Sequence, residues 1–248
     1  MSFTRREFLL GAGGIVAAGL AGCSVEGGYP VVANLPEADL PDSERLPVPA
    51  PMVPAGPPSA PPPTVHPVPA FGRNSFGIYP RSAWTRYGVV KSQIEPMNGV
   101  TRITFHHSGD VHNGRDVPFL EDGFAETAQH LELVREYHVN QRGWADIGYH
   151  FAIDRTGRVF QLRSLRYQGA HVKGQDEHNL GIVVLGNFNV QTPTAAQKAR
   201  ILTFGRLSRS EYSVPISRVY THRELGPSDC PGARMQPYMV DVRHRKLI

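Results

Sequence analysis

Leu180-Gly181-Ile182-Val183-Val184-Leu185-Gly186-Asn187-Phe188 is the stretch on which the fold turns. An apolar, β-branched run of this length reads as a strand buried on both faces, the kind found at the centre of a sheet covered by helices. Upstream, Val100 to His107 reads as a second strand, with Ile103 and Phe105 on one face and Thr104 and His106 on the other. Side chains alternate along a strand, so His106 and His107 point to opposite faces. Phe124 to Gln141 reads as a helix, with Phe124, Ala128, Leu131 and Val134 near a 3.6 period and Gly143 closing it. Tyr149 to Asp154 and Arg158 to Leu162 read as strands joined around Thr156-Gly157. Downstream, Thr192-Pro193 fits the N-cap and first turn of a helix reaching about Arg209, with Ala196, Ile201, Leu202 and Leu207 inward. A last strand, Ser217 to Thr221, delivers His222. The expected fold is α/β (α+β), one domain over residues 71–248 with a central mixed sheet flanked by helices.

The chain has two cysteines, Cys23 and Cys230, and no disulfide framework is plausible. Cys230 lies in THRELGPSDCPGARM, eight positions after His222, and His106 stands in FHHSG far upstream. Two imidazoles and one thiolate make the ligand set of a zinc site that leaves a fourth tetrahedral position open. His107, on the far side of its strand, is read as packed against a neighbouring element.

The N-terminus reads as an address. Thr4-Arg5-Arg6-Glu7-Phe8-Leu9-Leu10 resembles a twin-arginine export signal, and the apolar run from Leu9 to Gly22 is too short for a comfortable membrane span. Leu20-Ala21-Gly22-Cys23 resembles a lipobox, which makes residues 1–22 a signal peptide and Cys23 the lipidated N-terminus of the mature chain. Acyl chains on Cys23 would hold the protein on a membrane surface. Ser24 is not the aspartate of an inner-membrane retention signal, so the outer membrane is expected in a two-membrane envelope. Residues 23–70 read as a linker: Pro47 to Pro69 hold 11 of the 22 prolines. Proline fixes φ and removes a donor, which favours extended polyproline II at ~3.1 Å per residue.

The formal net charge of +4 is mild and drops by one once Arg5, Arg6 and Glu7 leave with the signal. No basic run forms a nucleic-acid footprint, although a slightly basic surface suits an anionic cell-wall polymer. A monomer is expected.

Five segments in order resemble the zinc-dependent N-acetylmuramoyl-L-alanine amidases of the type shared by peptidoglycan recognition proteins and phage-lysozyme-type amidases. They are Pro80 to Trp84, Ile103 to Ser108, Trp144 to Phe151, Gly169-Ala170-His171 with Asn179 to Phe188, and Tyr220 to Gly232. The resemblance places the family's zinc ligands on His106, His222 and Cys230 and its active-site tyrosine on Tyr149. Ser228 stands where relatives carry lysine or threonine, offering one hydroxyl donor and no charge. Asp229 and Glu224 are close to the ligands in sequence, yet the family pattern gives neither a general-base role. Trp144, Asp146 and Gly148 read as structural, His171 as a residue of the substrate pocket's rim, and Glu177 and His178 as a solvated loop.

The implied reaction is hydrolysis of the amide joining N-acetylmuramic acid to L-alanine in peptidoglycan, with Zn2+ as cofactor and peptidoglycan or muropeptides as partners. Two other readings stand beside it: a peptidoglycan-binding module without catalysis, and an amidase for soluble anhydro-muropeptides. The expected address is the cell envelope, as an exported lipoprotein.

Overall fold

The computed structural model describes residues 77–248 together with Val32–Ala33. The export signal, Cys23 and the proline-rich stretch lie outside the described residues. In chain order the elements are β1 (Val32–Ala33), β2 (Ile78–Tyr79), β3 (Arg102–His107), β4 (Asp110–His112), β5 (Arg115–Asp116), α1 (Phe124–Asn140), β6 (Phe151–Ile153), β7 (Val159–Gln161), β8 (Asn179–Val184), α2 (Ala195–Glu211), β9 (Val219–Thr221) and α3 (Gln236–His244).

The apolar run is the middle of the sheet, as its composition demands. All six residues of β8 are buried, and the strand order is β2-β7-β6-β8-β3-β9. Pairing is parallel except between β6 and β7, so the sheet is mixed. Both faces are covered. Ile103, Phe105, Phe151, Ile182 and Val184 pack with Ile201 and Phe204 of α2 and Met239 and Val242 of α3. Ala152, Phe160 and Val183 pack on the other side with Leu131 and Val134 of α1 and with Trp84. The β6–β7 turn is locked by Asp154, whose Oδ1 accepts from the Thr156 N–H at 3.0 Å and the Arg158 N–H at 2.8 Å.

Several elements depart from the reading of the sequence. β8 ends at Val184 because the chain turns away at Gly186, whose φ is 151° and whose N–H donates to Ser108 Oγ at 2.8 Å. α2 starts later than Thr192-Pro193 suggests: Thr194 is its N-cap, closed reciprocally with Gln197 in a capping box. On α2, Ala196 is exposed, Leu202 and Leu207 are only partly buried, and Phe204 takes an inward place. On α1, Phe124 is exposed while Thr127, His130, Arg135 and His138 are buried beside Leu131 and Val134. β9 is shortened by a 3-10 turn over Ile216–Arg218. The helix α3 was not anticipated. Within the stretch read as linker, Val32–Ala33 pairs antiparallel with β4, forming with β5 a small separate sheet; two extended residues suffice to take up the open edge of β4. No helix among the described residues is long and apolar enough to cross a membrane.

Candidate metal centre

Parallel pairing of β3 with β9 sets the centre. Phe105 is level with Thr221, so the next residues, His106 and His222, leave the two strands side by side on one face. Their ring centroids are 4.9 Å apart. Thr221 and Glu224 form a capping box that starts the 3-10 turn His222–Glu224. The loop then returns to its origin, the Arg223 N–H donating to the Cys230 carbonyl at 3.0 Å. The Cys230 N–H donates to Ser228 Oγ at 3.1 Å, which tightens the approach to the cysteine. Cys230 Sγ ends 3.5 Å from His106 Nδ1. His106, His222 and Cys230 are all buried, and their ligand atoms lie within 4.8 Å of one another.

Burial keeps these groups in their neutral forms. Desolvation holds the His106 pKa well below the ordinary imidazole value and lowers that of His222 to about 4. Each ring therefore keeps a lone pair at neutral pH. The Cys230 thiol is pushed up to about 12 by burial, against the pull of the His107 N–H, at 3.3 Å from Sγ, and the Arg223 charge. Among the described residues, the buried His222 Nδ1 has no hydrogen-bond partner. An orphaned imidazole nitrogen, a second imidazole and a thiol with no anion-favouring partner stronger than a backbone amide fit a cation, which would displace the thiol proton. The nitrogen and sulfur donors suit zinc.

Tyr149 comes from the far side of β8. Strict alternation back from Phe151 would put it in the core with that residue, yet the chain bends over residues 148–150 and Tyr149 packs with Ala152 and Val183 on the face of His106. Its ring centroid is 5.1 Å from that of His106. Burial and the neighbouring Cys230 raise its pKa, so the phenol stays protonated. Ser228 lies in the returning loop, its oxygen already accepting from Cys230.

The other residues singled out in the sequence fall away from the cluster or behind it. His107 faces the opposite side, where its Nδ1 accepts from the Phe188 N–H at 3.2 Å. Asp146 is held by two hydrogen bonds from Arg81, at 2.8 and 2.9 Å, and Trp144 packs against His138 with centroids 4.5 Å apart and planes tilted by 37°. Glu224 accepts from the Thr221 N–H at 2.8 Å and Gln236 Nε2 at 3.1 Å and pairs with Arg243, so its carboxylate is fully engaged. The Asp229 side chain is 89% exposed. Glu177 is exposed and His178 half-buried. His171, expected at a pocket rim, is instead buried behind the cluster, with its Nδ1 3.0 Å from His106 Nε2. No pattern in the sequence places it there, because irregular chain separates it from Asn179, where β8 begins. Arg223, which the sequence reading does not single out, clamps the Cys230 loop, its Nη2 donating to the Asp229 carbonyl at 2.6 Å and its N–H to the Cys230 carbonyl at 3.0 Å.

The family model Amidase_2, described as N-acetylmuramoyl-L-alanine amidase, matches residues 96–233, more than half of the chain. The chain belongs to this amidase family. Among similar proteins, the amidase-family chain is 37% identical over 107 residues to peptidoglycan-recognition protein SC2 of Drosophila melanogaster, a match covering 42% of this chain and 58% of that protein. It is 31% identical over 111 residues to the N-acetylmuramoyl-L-alanine amidase of Homo sapiens, covering 44% of this chain and 19% of that one. These matches thus span well under two thirds of the relatives' lengths. Of solved structures, Drosophila PGRP-LB has a TM-score of 0.57 at 22% identity, covering 66% of this chain and 91% of its own. The amidase LysC from Clostridium intestinale has a TM-score of 0.52 at 22% identity, covering 66% and 96%. The likeness to these structures is one of fold. It establishes the mixed sheet with flanking helices as the architecture of this amidase-family chain.

Proposed function

We propose that this protein hydrolyses the amide between N-acetylmuramic acid and L-alanine in peptidoglycan, using a zinc ion held by His106, His222 and Cys230. The observation that carries the reading is the convergence of these three buried side chains, with ligand atoms within 4.8 Å of one another, in a chain of the amidase family. Three solved structures of similar fold are described as holding tracheal cytotoxin, which in one is specified as a monomeric diaminopimelic acid-type peptidoglycan. This supports a peptidoglycan fragment as the partner here.

Zinc supplies Lewis acidity, lowering the pKa of water and polarising a carbonyl. The protein supplies placement. His106, His222 and Cys230 would hold the cation as two neutral imidazoles and a thiolate, which would leave it about one net positive charge for its Lewis-acid role. Tyr149, kept protonated by burial, donates a hydrogen bond to the amide oxygen as negative charge develops there, which favours the transition state over the planar amide. The Ser228 oxygen accepts from the Cys230 N–H, which leaves its own O–H as a second, weaker donor. Glu224 and Asp229 take no part: the first is engaged and the second points to solvent.

The same reading covers the N-terminus. The Thr4 to Leu10 signal and the Leu20 to Cys23 lipobox support twin-arginine export and lipidation of Cys23, and the proline-rich stretch supports a spacer that lets a tethered catalytic domain reach the wall from a membrane. Metal analysis of the full-length chain tests the centre. One zinc per chain is expected, and absence of stoichiometric zinc overturns the reading.

A further inference from the structure

His171 lies outside the three-residue cluster, yet it is wedged against one member of it. A Cβ built on Gly169 would fall 2.3 Å from His171 Cδ2, and one on Gly181 would fall 2.6 Å from the same atom. A larger residue at either position would expel the ring, so the two glycines form a socket for it. The backbone is pinned as well: Asp176 Oδ1 accepts from the His171 N–H at 2.8 Å and the Val172 N–H at 3.0 Å. Seated in this way, the ring has Nε2 3.1 Å from the Asn179 carbonyl oxygen and Nδ1 3.0 Å from His106 Nε2.

The direction of each proton follows from the far end of this chain. A carbonyl oxygen only accepts, so His171 Nε2 carries a hydrogen. The ring is fully buried and no anion is hydrogen-bonded to it, since Asp176 Oδ1 stands 3.8 Å from Nε2 and is already taken by the two backbone N–H groups. A buried imidazole without a paired anion is neutral and carries one hydrogen. His171 Nδ1 is therefore a lone pair, and the hydrogen between the rings belongs to His106 Nε2. His106 Nδ1, 3.5 Å from Cys230 Sγ, is left with its own lone pair facing the cluster.

We propose that His171 is a positioning residue, which accepts a hydrogen bond from His106 Nε2–H and so fixes the tautomer and ring angle that aim His106 Nδ1 toward Cys230. The purpose of that aim rests on the zinc reading above; the hydrogen bond itself does not. Metal-ligating histidines commonly give their second N–H to a carboxylate, a carbonyl or water. Here an imidazole takes that place, with the backbone of the central strand behind it.

The tautomer is readable without metal. In ¹⁵N NMR of the metal-free, full-length chain, with His106 assigned by its loss in His106→Gln, the expected signature is the Nε2–H form. An Nδ1–H form overturns the proposal. Two variants then separate position from structure: His171→Asn offers a side-chain carbonyl that can accept from His106, whereas His171→Leu offers none. By chelator competition, zinc affinity should fall about 10–100-fold in His171→Leu and recover largely in His171→Asn. A folded His171→Leu protein with wild-type zinc affinity contradicts the role. If His171→Leu does not fold, the tautomer and the Asn variant still decide. Failure of wild type to bind zinc would instead sink the metal reading, and the tautomer measurement would still decide the hydrogen bond.

Discussion

His106 Nδ1 and Cys230 Sγ stand 3.5 Å apart although the two residues come from opposite ends of the domain. That spacing is about the edge of a tetrahedron built on zinc bonds of roughly 2.0–2.3 Å. The folded protein thus holds the three side chains near the places a zinc ion would require, and on the proposed reading metal removal should cost stability rather than fold. With free zinc about 1,000-fold above its Kd, the metal contributes about 4 kcal/mol, so chelation should lower the melting temperature by on the order of 10 °C. Cys230→Ser, which lacks the thiolate, should melt near the chelated wild type and ignore the chelator. A wild-type protein equally indifferent to chelator would contradict the metal site.

Tyr149→Phe removes one hydroxyl and keeps the ring that packs beside His106. If the phenol stabilises the developing oxyanion, turnover should fall on the order of 10²-fold or more, while zinc content and melting temperature remain at wild-type values. Ser228→Ala should cost less, since a neutral hydroxyl contributes less than a charged donor, and Ser228→Lys should raise the rate. Single-turnover assays separate these effects from product release. Wild-type rates in Tyr149→Phe would reduce the tyrosine to a packing residue.

Acid should unfold this domain through its buried histidines. His130 lies against Phe119, with ring centroids 4.5 Å apart, and among the described residues neither of its nitrogens has a hydrogen-bond partner. Burial lowers its pKa from 6.5 to about 4. Between those values the unfolded chain binds the proton and the folded chain does not, so stability is intact above about pH 6.5 and falls as pH drops toward 4. Replacing it with leucine removes this liability. His130→Leu should therefore gain roughly 2 kcal/mol relative to wild type on going from pH 7.5 to pH 5, read from urea denaturation at both values. An identical difference between the two proteins at both pH values would refute the assignment.

Cys23→Ala should release the protein from membranes into the soluble envelope fraction, and replacing Arg5 and Arg6 with lysine should block export. Fractionation checks both. Retention of Cys23→Ala on membranes as tightly as wild type would remove lipidation from the account.

Much of this architecture was legible because burial on two faces leaves a continuous apolar run, and β8 is such a run. The grouping of His106, His222 and Cys230 was legible from residue type and spacing, and the fold brings the three side chains together. Other features were hidden for definite reasons. The inward face of α1 carries His130 and His138, so an apolar period alone misassigns it toward Phe124. The start of α2 offered two threonines, and only the reciprocal bonds of Thr194 with Gln197 choose between them. Tyr149 reaches the site through a bend at residues 148–150, which alternation cannot foresee. His171 looked like a rim residue because its socket is made of Gly169 and Gly181, and glycines reveal their neighbours only once folded.

The central claim is the bond that is cut. Purified peptidoglycan incubated with the zinc-loaded full-length protein and analysed by mass spectrometry should release stem peptides with a free L-alanine N-terminus and leave glycan strands bare of peptide, with neither product formed by Cys230→Ser. Peptidoglycan that is bound but recovered intact, or cut at a different bond, would contradict the account.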